Sequence, residues 1–211
     1  VQPKMVYISN PTEVGTIYSK AELTALSEIC HKYGLYLFLD GARLGYGLAA
    51  PDNDLTLPDI AALCDVFYIG GTKVGALFGE AVVIKNPELA QDFRYLIKQN
   101  GGMLAKGRLL GLQFDALFTD GLYQVISAHA IAMAEKLREA FTAKGYTYLA
   151  PNRTNQIFVI VPDAHLAKIS EQFEYSYDQR IDATHSCVRF CTGWATREEN
   201  VDALIRCVEK L

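Results

Sequence analysis

The sequence predicts an α/β fold: a mostly parallel sheet layered with helices, followed by a small α+β block. Three observations carry this. Residues 35–40 (LYLFLD) and 65–71 (DVFYIGG) are short apolar runs without alternation, as in strands covered on both faces. A helical segment precedes each run, at 19–34 and 57–64, giving the alternating order of a layered sheet. From about residue 145 the pattern changes to strands at 146–150, 156–162 and 186–194, mixed with helices at 164–173 and 197–211.

The elements follow in order. MVYISN (5–10) is a short apolar run that stops at Asn10-Pro11, a turn signal. The helix over 19–34 starts with Ser19 as N-cap and Glu22 three positions on, the spacing of a capping box. Leu23, Leu26, Ile29, Cys30 and Tyr33 form its apolar face, and Gly34 ends it. GALFGEAVVIK (75–85) ends in an apolar run and is expected to add a further strand. Pro87 opens a long helical region reaching about residue 143, interrupted around NGGM (100–103). Its last part carries an apolar stripe at Ile126, Ala130, Met133, Ala134, Leu137 and Phe141, and Gly145 closes it. Two units are therefore expected, 1–144 with long connecting helices and 145–211 as the small α+β unit.

Composition narrows the function classes. The chain has 211 residues, 50% hydrophobic and 21% charged, with a formal net charge of −4, which fits a packed core and argues against disorder. Nothing in this balance calls for nucleic acid as a partner. No apolar run reaches the length of a membrane span, and the first residues lack a secretory pattern. The five cysteines, Cys30, Cys64, Cys187, Cys191 and Cys207, show no Cys-x-x-Cys spacing. They read as mostly buried thiols in a reducing cytoplasm, and no metal site is expected.

In open α/β sheets, ligands bind beyond the carboxyl ends of the parallel strands. Asp40 ends one apolar run, and Arg43 follows three positions later. The other run ends in Gly70, Gly71, Thr72 and Lys73. Parallel strands would bring Asp40, Arg43 and Lys73 to one edge. Each has a plainer reading: an Asp after a strand is often a turn former or cap, and a Lys after glycines is often a solvated loop charge. Arg43, however, lies within GARLGYGLAA, and a guanidinium buried among such residues needs a partner or an anionic ligand.

FLDGARL (38–44), followed about thirty positions later by GGTKVGALFGEAVV (70–83) and preceded by ISNPTEVGTIYS (8–19), resembles the fold-type I pyridoxal-phosphate enzymes. Among them it is most similar to the threonine aldolase and β-eliminating lyase family, over most of 5–130 and more loosely beyond. The resemblance implies that 1–144 is part of a cofactor-binding large domain of the PLP-dependent transferase-like fold. It implies pyridoxal 5′-phosphate as cofactor, with Lys73 as the amine that bonds its aldehyde and Asp40 as the acid beside its ring nitrogen. Thr12 and Thr72 would approach the cofactor, although turn chemistry explains both as well. Arg43, and Arg189 in CVRFCTGW (187–194), would meet the carboxylate of an amino-acid substrate; an edge-strand surface charge is the plainer reading of Arg189.

The implied activity is that of a lyase cleaving the Cα–Cβ bond of a β-hydroxy-α-amino acid to glycine and an aldehyde. β-Elimination and transamination share these motifs. A non-catalytic α/β binding or dimerisation module is the reading from another class. Family members build sites across a dimer, so a homodimer or homotetramer is expected. The family's phosphate-binding loop and ring-stacking side chain have no counterpart before Asp40. The resemblance therefore implies that further chain precedes these residues in the enzyme.

Overall fold

A computed structural model describes residues 1–211. Strands β1 (Met5–Ser9), β2 (Tyr36–Asp40), β3 (Val66–Gly70) and β4 (Glu80–Ile84) form a first sheet in that order. β1, β2 and β3 are mutually parallel, and β4 runs antiparallel to β3. Helix α1 (Lys20–Lys32) joins β1 to β2, and helices α2 (Leu44–Leu48) and α3 (Leu57–Leu63) lie between β2 and β3. Helices α4 (Pro87–Ala90), α5 (Phe93–Gln99), α6 (Arg108–Phe118) and α7 (Leu122–Ala143) lead to the second sheet. This is antiparallel throughout, in the order β5 (Thr147–Tyr148), β6 (Gln156–Pro162), β8 (His185–Cys191), β7 (Ser176–Arg180). Helix α8 (Asp163–Ile169) follows β6, and α9 (Glu198–Glu209) follows β8.

Local chemistry sets these boundaries. Ser19 accepts from the Glu22 N–H at 3.3 Å, and the Glu22 carboxylate accepts from the Ser19 N–H at 2.9 Å, closing the expected capping box on α1. Thr56 and Asp59 repeat the device on α3. Strand periodicity turns Leu37 and Leu39 of β2, and Phe67 and Ile69 of β3, to one face, where they pack with Leu23, Ile60, Ala130 and Ile131. One helical turn later on α7, Met133, Ala134, Leu137 and Phe141 belong to a second core with Ile157, Val159, Val188, Val201 and Leu204. A single helix thus serves both cores.

The structure departs from the sequence reading in five places. The strand expected over 75–85 begins only at Glu80, because Gly75 and Gly79 turn the chain at φ +94° and +95°. The long helical region is four helices, broken by left-handed residues at Asp92 and Asp120 and by the loop before α6. α2 and β7 were not expected. The unalternated runs suggested strands covered on both faces; Leu37, Leu39, Phe67 and Ile69 are buried, but Tyr36, Phe38, Val66 and Tyr68 on the second face are only half-buried, and the flanking β1 and β4 expose Tyr7 and Val82 there. There the Tyr7 and Phe38 rings stack on each other at 5.4 Å. Cys30, Cys64 and Cys187 are buried as expected, whereas Cys191 is exposed and Cys207 half-buried. No helix is long and apolar enough to cross a membrane.

Candidate active site

Two glycines let the ends of β2 and β3 meet. A Cβ on Gly41 would run into the Tyr68 carbonyl, and one on Gly70 into the main chain of Gly41 and Ala42. With neither present, the Gly70 N–H reaches the Gly41 carbonyl at 2.9 Å, and the loops carrying Asp40 and Lys73 lie side by side. The Glu80 carboxylate accepts from the Gly71 N–H at 2.9 Å and steadies the lysine loop from β4.

The Asp40 carboxylate accepts from the Ala42 N–H at 3.0 Å and from the Tyr7 hydroxyl. Burial works against its ionisation. The Tyr68 and Tyr7 hydroxyls, the Ala42 N–H and the Lys73 charge together outweigh burial and hold the carboxyl below its ordinary value. The acid at the end of β2 is therefore ionised, with a primary amine as its nearby cation.

The Lys73 main chain is pinned from beneath. Tyr46, on α2 and 1% exposed, donates its hydroxyl to the Lys73 carbonyl and accepts from the Trp194 N–H at 3.3 Å. One buried phenol thus connects the lysine loop to the loop that follows β8. Gly45 beside it donates its N–H to the Tyr123 hydroxyl of α7 at 3.1 Å, which fixes α2 against the long helix.

The two arginines arrive from different cores. Arg43 precedes α2; its side chain is 16% exposed, and its Nη1 lies 3.8 Å from the Glu13 carboxylate. Arg189 is on β8, with its guanidinium carbon 5.9 Å from the centre of the Phe158 ring. Its Nη1 donates to Oε1 of Gln156 at 3.2 Å, and its Nε is buried without a partner.

Arg43, Lys73 and Arg189 line one cavity of about 520 Å³, together with Tyr46, Gln156, Trp194 and neighbouring residues. No carboxylate lines it, so every charged group facing the cavity is cationic. Arg189, which has no acidic partner of its own, is suited there to an anionic ligand.

Of the six residues singled out from sequence, the structure brings Arg43, Lys73 and Arg189 to the cavity wall and sets Asp40 beside Lys73. Thr12 and Thr72 do not line it. Thr12 closes a turn, its hydroxyl accepting from the Thr16 N–H at 3.1 Å, and the Thr72 hydroxyl points to the Gly79 carbonyl at 3.5 Å. Sequence reasoning missed Tyr46, Gln156 and Trp194. A Tyr among glycines and alanines, and a Gln opening an otherwise apolar strand, were the available signals.

Residues 1–164 match the family model described as beta-eliminating lyase. The low specificity L-threonine aldolase of Pseudomonas sp. (strain NCIMB 10558) is 32% identical over 207 residues, 96% of this chain and 58% of that protein. The low specificity L-threonine aldolase of Pseudomonas aeruginosa is 31% identical, over 97% of this chain and 59% of its own length. The structure of Leishmania major threonine aldolase superposes with a TM-score of 0.98 at 45% identity, covering 100% of this chain and 61% of that one. A single mutant of Thermus thermophilus aspartate aminotransferase shares the fold, with a TM-score of 0.70 at 17% identity over 100% of this chain and 58% of that one. The chain therefore spans about three fifths of the length of these relatives. With the family model matched over residues 1–164, the chain belongs to the β-eliminating lyase family.

Proposed function

We propose that this chain carries the lysine, the acid and the carboxylate-binding arginines of a pyridoxal-phosphate-dependent lyase. Its reaction is cleavage of the Cα–Cβ bond of a β-hydroxy-α-amino acid to glycine and an aldehyde. The observation that carries this is the cationic cavity, in which a lysine beside an ionised aspartate faces an arginine without an acidic partner.

The residues present fit pyridoxal 5′-phosphate. Lys73 offers the amine for its aldehyde, and Asp40, ionised at neutral pH, suits a protonated ring nitrogen. Thr72 directly precedes the lysine and Thr12 directly precedes Glu13, which approaches Arg43; neither lines the cavity, and an approach to the cofactor rests on these neighbours alone. When bound, the cofactor supplies the electron sink that Cα–Cβ cleavage needs. The chain's own residues do the rest. Arg189 and Arg43 hold the substrate carboxylate, since a planar guanidinium matches it better than an ammonium. Lys73 Nζ, which lines the cavity, would hold the cofactor and, when not bonded to it, could carry a proton there. Tyr46 keeps the lysine loop in register with the wall that bears Arg189.

The relatives named as threonine aldolases favour aldol cleavage over β-elimination. Division into the two units 1–144 and 145–211 is supported by the presence of two hydrophobic cores, with Met133, Ala134, Leu137 and Phe141 of α7 contributed from the first unit to the second core. A homodimer or homotetramer is supported by exposed Leu77, Phe78, Leu109 and Leu112, since Gln113 of α6 bonds the 77–78 loop and draws these side chains together. Unpaired thiols support a reducing cytoplasm.

The test uses the full-length protein with pyridoxal phosphate and L-threonine. Glycine and acetaldehyde are expected as products. Ammonia with a keto acid would instead mean elimination, and a keto acid with aminated cofactor would mean transamination. Borohydride reduction is expected to fix the cofactor on the peptide containing Lys73, and Lys73→Ala to abolish that adduct. An adduct that persists in the variant would remove Lys73 from this role.

A further inference from the structure

We propose that Gln156 is a positioning residue: it orients Arg189 for the substrate carboxylate and, through Glu13, ties that arginine to Arg43. This rests on the lyase reading of the cavity. Gln156 opens β6 and is 0% exposed. A buried amide must have its oxygen and its nitrogen satisfied. The oxygen accepts from Arg189 Nη1 at 3.2 Å, with the Cys191 thiol 4.0 Å away. The nitrogen donates to the main-chain carbonyl of Glu13 at 3.3 Å. The Glu13 carboxylate, on the same residue, lies 3.8 Å from Arg43 Nη1. Arg189 is therefore linked through Gln156 to the main chain of the loop residue whose largely exposed carboxylate approaches Arg43.

That loop is itself held. Asn152 Nδ2 donates to the Val14 carbonyl at 2.8 Å, and the Thr154 hydroxyl donates to the Gly15 carbonyl at 2.8 Å. All three anchoring side chains come from the stretch entering β6, so the loop next to Arg43 moves with the strand next to Arg189.

The chemistry of the amide matters. An Asp or Glu in this place would orient Arg189 too, but it would neutralise the guanidinium and compete with the incoming carboxylate. A neutral acceptor fixes Nη1 and leaves the full charge for the ligand. The Phe158 ring lies 5.9 Å from the guanidinium carbon, a cation–π contact that leaves its charge intact. The Nε of Arg189 is buried without a partner in this chain.

The test uses the full-length protein with pyridoxal phosphate and the variants Gln156→Leu and Gln156→Glu. In both, KM for L-threonine and Kd for glycine are expected to rise about 10-fold or more, the scale of one hydrogen bond to a charged group. The kcat is expected to stay within about twofold, since the arginine grips substrate and transition state alike. Ethanolamine, which has the amine but no carboxylate, is expected to bind as in the unaltered protein. An unchanged glycine Kd in both variants overturns the proposal. So does equal weakening of glycine and ethanolamine, or loss of the folded state in both, because Gln156 would then serve the fold and not Arg189. Failure of the lyase reading shows itself separately, as absent turnover and absent glycine binding in the unaltered protein.

Discussion

Asp40 shows how a single residue joins fold and chemistry. Its carboxyl is depressed below the ordinary value of 3.8: burial opposes ionisation, and the Tyr68 and Tyr7 hydroxyls, the Ala42 N–H and Lys73 outweigh it. A carboxylate with a lowered folded-state pKa adds stability that is fully present above its unfolded value and is lost as pH falls through the folded value. Asp40→Asn is therefore expected to be less stable than the unaltered protein from pH 5 upward. The gap should close as pH drops below 3.8. Urea unfolding across a pH series measures this, and a gap independent of pH would show that the lost interactions do not depend on charge. The same substitution removes the ionised acid from beside Lys73, so cofactor affinity at neutral pH is expected to fall with it.

Elements show which parts of the fold are written locally. Ser19→Ala is expected to lower stability by about 1 kcal/mol through loss of the α1 cap, without changing substrate affinity, since α1 does not line the cavity. Denaturant midpoints beside KM values check both halves, and a shifted KM would place α1 within the site's support. The capping box was legible because its donor and acceptor lie three residues apart. β2 and β3 were legible because their apolar runs are continuous and end in Asp40 and in paired glycines. α2 was not, since five residues with two glycines make no helix alone; Tyr123 of α7 and the burial of Tyr46 hold it. β7 was not either: SYDQR is polar and exposed along its length, and only pairing with β8 makes it a strand. The site divides in the same way. Asp40, Arg43 and Lys73 follow from strand ends and short motifs, and Arg189 came from a family resemblance. Gln156 meets Glu13 across 143 positions of sequence, and no local pattern records such a contact.

At the scale of the whole molecule, the cavity exists because two cores are held in register. Lys73 and Arg43 follow strands packed in the first, Arg189 and Trp194 lie on and after β8 of the second, and α7 buries side chains in both. Phe141 is the test of that coupling. It is fully buried near the end of α7 and packs its ring 5.3 Å from Phe190, the neighbour of Arg189 on β8. Phe141→Ala is expected to cost about 3–5 kcal/mol, since the second core cannot close over the lost ring. Because α7 is shared, the loss should appear in the whole molecule. Trp194 is the chain's single tryptophan and bonds Tyr46 of the other core, so its fluorescence reports the junction, while far-UV circular dichroism reports the helices of both. The two signals are expected to follow one transition, displaced together to lower urea by Phe141→Ala. KM is expected to rise more than kcat falls, because the strand carrying Arg189 loses its backing while the lysine loop keeps its own. Early loss of the Trp194 signal, with helical signal persisting to the original midpoint, would mean that the cores unfold separately and that α7 joins them without coupling them.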